Sequence, residues 1–311
     1  MGTEAVLRGE IRRNEPMARH VSWRAGGVVR CAYTPADLAD LQAFVRTLPA
    51  GEPVYFVGLG SNLLVRDGGL RGTVIFTHRA LSHIRLGTSG DGWREVEVDA
   101  GVAAPKLARY AAMHDLVGGE FFAGIPGTVG GALAMNAGCY GGETWRAVVS
   151  VSTLNRNGAV RARAPSDYDI GYRSVSARRA APGEAWFIGA TFRFLRGDGA
   201  ASRRLMKEFL QRRIASQPLG RPNAGSVFRN PPGDYAARLI EACGLKGERI
   251  GGAEISAKHA NFIVNAGSAT AADIERLITC ARDTVQARFG IALETEVRIV
   301  GDAVSGEDET T

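Results

Sequence analysis

Gly124-Ile125-Pro126-Gly127-Thr128-Val129-Gly130-Gly131-Ala132-Leu133-Ala134-Met135-Asn136-Ala137-Gly138 is the stretch on which the reading of this chain turns. Glycine lets a backbone approach a ligand, or another backbone, without interference from a Cβ. Here glycines recur among small residues that keep the surrounding packing close. The stretch lies inside a longer segment, Phe121 to Gly142, that carries no charged residue and is long enough to cross a bilayer. A membrane span does not fit it. The segment holds seven glycines together with Pro126, Thr128 and Asn136, and has no sustained run of Leu, Ile or Val. It reads as a buried, glycine-rich ligand loop, with a glycine-packed core turn as the alternative.

A second glycine-rich turn, Gly58-Leu59-Gly60-Ser61-Asn62-Leu63-Leu64, follows the short apolar strand at 54–57. A dinucleotide fingerprint would stand there, but Leu63 occupies the place of its third glycine, so this is not a Rossmann motif. Two readings stay open: a plain strand-ending turn, or a nest of backbone N–H groups for an anion, aided by Ser61 and Asn62. Two such loops could grip the two phosphates of one dinucleotide.

Around these loops the chain mixes strands and helices. The first region predicts a strand over 28–33, a helix opened by Thr34 as cap with Pro35 at its first position, and strands over 54–57 and 74–76. The second predicts strands at Ile84 and over 96–100, a helix over 105–114, and strands around 148–154, 160–162 and 186–194. Residues 196–200 read as a linker. The third predicts helices over 201–215, 236–242 and 271–289, a strand over 261–264 and a last strand over 292–299. The resulting division is 1–79, 80–198 and 199–290. The final strand, 291–301, returns to the first region, and the acidic tail 302–311 is expected to be disordered.

Composition narrows the function. The 311 residues suit two or three domains. A net charge of +6 and a pI of about 9.4 suit an enzyme that handles anionic ligands. The basic residues are scattered. Arg203, Arg204, Arg212 and Arg213 do cluster, but at helical spacing with Leu205, Phe209 and Leu210, as on a solvated helix face, and no nucleic-acid motif accompanies them. Cys31, Cys139, Cys243 and Cys280 form no C-x-x-C pair. Neither a zinc site nor a redox dithiol is indicated, no metal is expected, and unpaired cysteines suit a reducing cytoplasm. The polar N-terminus lacks the apolar core of a signal peptide. Val6 stands where a myristoylation signal needs Ser or Thr.

Both loops, together with Ser22-Trp23-Arg24-Ala25-Gly26-Gly27, resemble the UDP-N-acetylmuramate dehydrogenase family, also called UDP-N-acetylenolpyruvoylglucosamine reductase or MurB. The resemblance extends, in family order, through Tyr172-Arg173-Ser174, Ala224-Gly225-Ser226-Val227-Phe228-Arg229-Asn230-Pro231, Leu239–Gly247, Lys258–Asn265 and Leu293–Arg298. It covers about residues 20 to 301, and the compact third region resembles the shorter, type II members. It implies an α+β fold: a two-subdomain FAD-binding fold of the vanillyl-alcohol-oxidase (PCMH) type, over 1–79 and 80–198, plus a C-terminal α+β substrate-binding domain over 199–290. Val21-Ser22 departs from a commoner Thr-containing variant and Leu59 from a common glycine. Neither change removes a side chain the chemistry needs.

The resemblance implies non-covalent FAD as cofactor and NADPH as co-substrate. The implied flavin contacts are Gly58, Gly60, Ser61, Asn62, Leu63, Gly124, Ile125, Pro126, Thr128, Gly130, Gly131, Ala132, Asn136 and Gly138. The implied substrate is the enolpyruvyl ether of UDP-N-acetylglucosamine, reduced on the way to peptidoglycan. Ser226 would donate a proton to carbon, while Arg173 and Glu296 would bind and polarise the enolpyruvyl carboxylate. Asn230 matches a substrate contact. Lys258 and His259 are further candidates, His259 being read equally well as a structural histidine. The expected protein is a cytoplasmic monomer that binds no nucleic acid and enters no membrane. Two other readings compete. An oxidase of the same fold would often tether its flavin through His or Cys, but His114 and Cys139 lack that motif context. A non-catalytic nucleotide sensor would lack the set Arg173, Ser226 and Glu296.

Overall fold

The structure, a computed structural model, describes residues 6–179 and 185–304. The chain divides into two compact units. One comprises Met1–Arg12, Ala32–Leu59 and Val74–Arg213, and the other Arg13–Cys31, Gly60–Thr73 and Ile214–Thr311. A four-stranded sheet runs in the order Glu10–Pro16, Val28–Thr34, Leu70–Phe76, Val54–Val57, and the boundary between units falls within the first three of these strands.

In the first unit, helix α1 (Leu38–Thr47) begins later than the Thr34-Pro35 signal suggests. Its cap is Asp37, whose carboxylate accepts the Asp40 N–H at 2.9 Å. The delay has a cause that reaches across the chain. Asp40, itself buried, draws in the N–H groups of Arg8 and Ala36 and the Tyr33 hydroxyl, which keeps residues 34–36 out of the helix. Burial alone would raise the Asp40 pKa, but these donors hold it below the usual carboxylate range. Such a group stabilises the fold above its unfolded pKa, and the contribution is lost as pH falls through the folded value. Asp40→Asn is therefore expected to destabilise the protein at pH 7 by about 1–3 kcal/mol. The gap from the parent should close as pH drops below about 4. Melting curves across pH check this, and a pH-independent gap would contradict it.

The main sheet of this unit has the order Val160–Arg163, Val148–Asn155, Ala185–Arg196, Trp93–Asp99, Ile84–Gly90, with Leu116–Val117 pairing onto the end of Ala185–Arg196. Period-two alternation buries Val96 and Val98, and Val96 lies opposite Phe192. Helix α2 (Ala104–Met113) carries Pro at its start and buries Leu107, Ala108, Ala111 and Ala112 in the same core as Phe122, Val129, Leu133 and Phe192. Helix α3 (Val129–Met135) follows. The stretch 196–200, expected as a linker, instead runs from the end of the strand Ala185–Arg196 straight into helix α4 (Gly199–Ser216), because the Asp198 carboxylate accepts the Ala200 and Ala201 N–H groups. Arg203, Arg204 and Arg212 are exposed as expected, but Arg213 is half-buried and burial lowers its pKa; Leu205 and Leu210 are exposed too, and Ser202 and Met206 make the buried stripe.

The second unit has a separate core. Helix α5 (Ala236–Ala242) and helix α6 (Ala271–Phe289) pack with the small sheet Arg249–Ile250, Ala253–Ile255, Ile263–Asn265. A reciprocal Thr270–Asp273 capping box opens α6, and Gly290 in the left-handed region closes it. Two strand expectations shift. The strand foreseen at 261–264 runs Ile263–Asn265, because the backbone before it is used elsewhere: the Asn261 carbonyl accepts the Val227 N–H and the Phe262 N–H turns back to the His259 carbonyl. The last strand is only Arg298–Val300, parallel to Leu63–Val65. Residues 291–297 follow an irregular partner, with the Arg229 N–H on the Glu294 carbonyl and the Glu296 N–H on that of Val227. Leu293 and Val297 are buried, Glu296 and Ile299 are half-buried, and Glu294 and Arg298 are exposed. Of the tail, residues 305–311 lie outside the described residues.

Candidate active site

The segment 124–138 is not a plain loop: α3 lies within it. Thr128 caps the helix through a 3.4 Å bond from the Gly131 N–H to its Oγ1. Val129, Ala132 and Leu133 are buried beneath it, and Asn136 ends it at φ 41°, ψ 50°. A Cβ added to Gly58 would sit 2.3 Å from Thr128 Oγ1, so within the first unit the chain entering the second glycine turn touches the first loop. The leading amides of α3 are used internally. Those of Val129 and Gly130 each bond at 2.8 Å to the Val102 and Ala100 carbonyls, and that of Ala132 bonds to Thr128.

What this segment can offer a cofactor is therefore a face and a close backbone approach. Gly130 is required by packing, since its Cβ would lie 2.9 Å from that of Ala100. Gly131 is not: a Cβ there meets nothing closer than 3.8 Å, and its φ is not positive. Glycine inside a helix costs about 1 kcal/mol relative to alanine. Here the protein's own packing gives no return for that cost. Pro126, Gly131 and Ala134 are exposed, whereas Ile125 below them is buried. A smooth, side-chain-poor face of this kind fits a flat cofactor laid against it.

The sequence-predicted Arg173 stands in the same unit, in the two-residue turn between Tyr168–Gly171 and Ser174–Ala177. Its φ of 54° is left-handed, a conformation that costs a side-chain-bearing residue about 1–2 kcal/mol. The guanidinium donates to the Gly138 carbonyl at 2.7 Å and the Asn136 carbonyl at 3.4 Å, and lies over the Tyr172 ring. Gly124 is pressed against Cys139 and Tyr140. Burial pushes the Cys139 thiol up to about 11, so at neutral pH it is the thiol and not the reactive thiolate.

In the second unit, Gly60 has φ 59°, and a Cβ there would fall 2.0 Å from the His20 carbonyl oxygen. Its own carbonyl accepts the Ser22 N–H. Asn62 donates from Nδ2 to the Glu296 carbonyl at 3.0 Å, and Leu63 pairs with Arg298. The loop half Gly60–Leu63 thus lies beside Glu296. Ser226 is half-buried and follows Gly225, whose φ of 79° requires glycine. The next residue, Val227, accepts the Glu296 N–H at 2.8 Å. Ser226 and Glu296 are therefore carried by two segments bonded to each other.

Asn230 is exposed, and its Oδ1 accepts the Ala236 N–H at the start of α5. Lys258 is exposed and donates to the Ile214 carbonyl. His259 packs edge-on to Phe262 and accepts the Asn261 N–H at Nδ1. Burial lowers its pKa, which favours the neutral ring. Sequence reasoning missed Asn261, whose side chain both accepts from Phe228 N and donates to Phe228 O, clamping the backbone two residues past Ser226. Its signal was a lone amide heading an apolar run, since a buried polar group needs partners. Trp23 and Asn265 support the same core: Trp23 Nε1 donates to the Ile263 carbonyl and Asn265 Nδ2 to that of Trp23.

Comparison with known proteins sets the class first: residues 29–162 match the family model of the FAD binding domain, so this is a flavoprotein with an α+β FAD-binding fold. Residues 217–300 match the UDP-N-acetylenolpyruvoylglucosamine reductase, C-terminal domain. A protein of that name from Thiobacillus denitrificans is 60% identical over 310 residues, covering 97% of this chain and 95% of the relative. One from Nitrosomonas eutropha is 54% identical, covering 97% and 92%. The crystal structure of UDP-N-acetylenolpyruvylglucosamine reductase (MurB) from Thermus caldophilus superposes with a TM-score of 0.77 at 32% identity, covering 94% of this chain and 99% of that one. The chain belongs to the UDP-N-acetylenolpyruvoylglucosamine reductase family. Among the described residues, no helix is long and apolar enough to cross a membrane.

Proposed function

We propose that this chain reduces UDP-N-acetylglucosamine enolpyruvate to UDP-N-acetylmuramate at the expense of NADPH, through non-covalently bound FAD, in peptidoglycan precursor synthesis. The observation that carries the reading is the near full-length 60% identity to a reductase named UDP-N-acetylenolpyruvoylglucosamine reductase, in a chain that carries Arg173, Ser226 and Glu296. The glycine face of α3 and the Gly58–Leu63 turn hold the cofactor. When bound, FAD supplies a hydride carrier, charged by NADPH and discharged onto the terminal carbon of the enolpyruvyl alkene.

The chain's own residues do the rest. Hydride addition leaves negative charge on the adjacent carbon and its carboxylate, which donors and cations must stabilise. Ser226 hands its hydroxyl proton to that carbon, closing the balance of one hydride and one proton added across the double bond. A serine hydroxyl is a weak acid, so the transfer needs short reach and a dry setting. The apolar Val227 and Phe228 that follow it, both buried, suit that demand. Arg173 offers the substrate carboxylate a rigid cationic fork, and Glu296 polarises the same group. Asn230 and Lys258 contact the UDP-sugar, while His259 is a structural residue that stiffens the turn before Ile263–Asn265. The working division of labour is FAD binding over 1–79 and 80–198 and substrate binding over 199–290, in a cytoplasmic monomer.

An oxidase with a tethered flavin is the alternative, and the raised Cys139 pKa speaks against attachment there. Acid precipitation separates the two readings: the reductase releases its flavin to the supernatant. Steady-state assay of the purified protein should show NADPH oxidation that requires the enolpyruvyl UDP-sugar. NADPH consumption indifferent to that substrate would overturn the proposal.

A further inference from the structure

We infer that Asn136 is a positioning residue, whose side-chain amide fixes the turn that carries Arg173; the inference rests on the reading of Arg173 as a contact to the substrate carboxylate.

Asn136 has two separable jobs. Its backbone closes α3 in a Schellman arrangement: the Asn136 N–H reaches the Leu133 carbonyl at 3.3 Å and the Ala137 N–H reaches that of Ala132 at 2.9 Å. Glycine does this work as well or better, because the residue is left-handed. The side chain does something glycine could not. Nδ2 donates to the Gly171 carbonyl at 3.1 Å and towards Glu143 Oε2 at 3.4 Å, while Oδ1 accepts the Trp145 N–H at 3.1 Å. Two acceptors on one side and a donor on the other fix the amide orientation without ambiguity. Asn136 is only 2% exposed, so breaking these bonds would leave buried groups unsatisfied.

Gly171 is the last residue of its strand before the turn Tyr172-Arg173. Asn136 therefore holds Arg173 at two points: the base of its turn through the amide, and the guanidinium through its own carbonyl. Arg173 sits in a left-handed conformation that a free turn would tend to leave. Relaxation there would displace the fork, and misplacement by about 1 Å can cost about 10²-fold in rate.

The test is Asn136→Gly, which keeps the left-handed backbone and both cap bonds and removes only the amide. In FAD-saturated protein, kcat for the enolpyruvyl substrate is expected to fall about 10–100-fold. Without substrate, hydrogen–deuterium exchange across residues 171–175 should quicken by about tenfold, as loss of buried hydrogen bonds implies. Added to Arg173→Lys, the change should cost almost nothing more, because both act through one guanidinium. A kcat restored to the parent value by excess FAD, unchanged exchange at 171–175, or independent multiplication of the two losses would each overturn the inference. Normal substrate reduction by Arg173→Lys alone would sink the Arg173 assignment underneath it. That failure is distinguishable, because exchange in Asn136→Gly would still quicken while its kcat would not fall.

Discussion

Replacing Ser226 by alanine is expected to leave NADPH-to-flavin hydride transfer intact and to slow reduction of the enolpyruvyl UDP-sugar by about 10²–10⁴-fold, or about 3–5 kcal/mol of barrier. The size follows from the chemistry. Hydride delivery makes a carbanion, and general-acid catalysis is the step the hydroxyl supplies. The substitution disturbs little else. Ser226 is half-buried, the backbone around it is fixed by the positive φ of Gly225 and by the Asn261 clamp on Phe228, and the bond between Glu296 N and Val227 O does not involve its side chain. Stopped-flow measurement of the two half-reactions separates the outcomes. A variant that reduces the sugar at the parent rate would show that the proton comes from another group.

Gly60→Ala is expected to be the most damaging single methyl group in the cofactor turns. The new Cβ would lie 2.0 Å from the His20 carbonyl oxygen and 2.8 Å from Val21 Cα, both backbone, at a residue whose φ is 59°. Left-handed strain and overpacking together imply a loss of roughly 2–4 kcal/mol, with loss of bound FAD. Gly131→Ala is the informative contrast. Its Cβ has open space, so helix propensity should raise the stability of the FAD-free protein by up to about 1 kcal/mol. The same methyl group occupies the face assigned to the flavin and should weaken FAD binding. Melting temperature without FAD and FAD titration check both variants. Unaltered FAD affinity in Gly131→Ala would remove that glycine from the cofactor surface.

Helices α5 and α6 and most strands were legible because their apolar spacing and caps act locally: Thr270, Asp273 and Gly290 mark the ends of α6 in the sequence itself. The misses share a different cause. The start of α1 was displaced by Asp40, which collects donors as remote in sequence as Arg8. Helix α3 was hidden by its glycines, and it forms because Thr128 caps it and its apolar side is buried. Residues 291–297 alternate like a strand but pair with an irregular segment around Gly225. The site was legible mainly through family resemblance. Serine after glycine, or arginine in a turn, carries no chemistry by periodicity alone. The bonds that give these residues a setting, from Glu296 N to Val227 O and from Arg173 to Gly138 O, join positions tens of residues apart.

Anaerobic visible spectroscopy of the FAD-loaded protein tests the central claim most directly. NADPH should bleach the flavin bands, and subsequent addition of UDP-N-acetylglucosamine enolpyruvate should restore them as the sugar is reduced. A protein whose flavin bleaches but never recolours with that substrate, or a folded protein that takes up no FAD at all, would contradict the account.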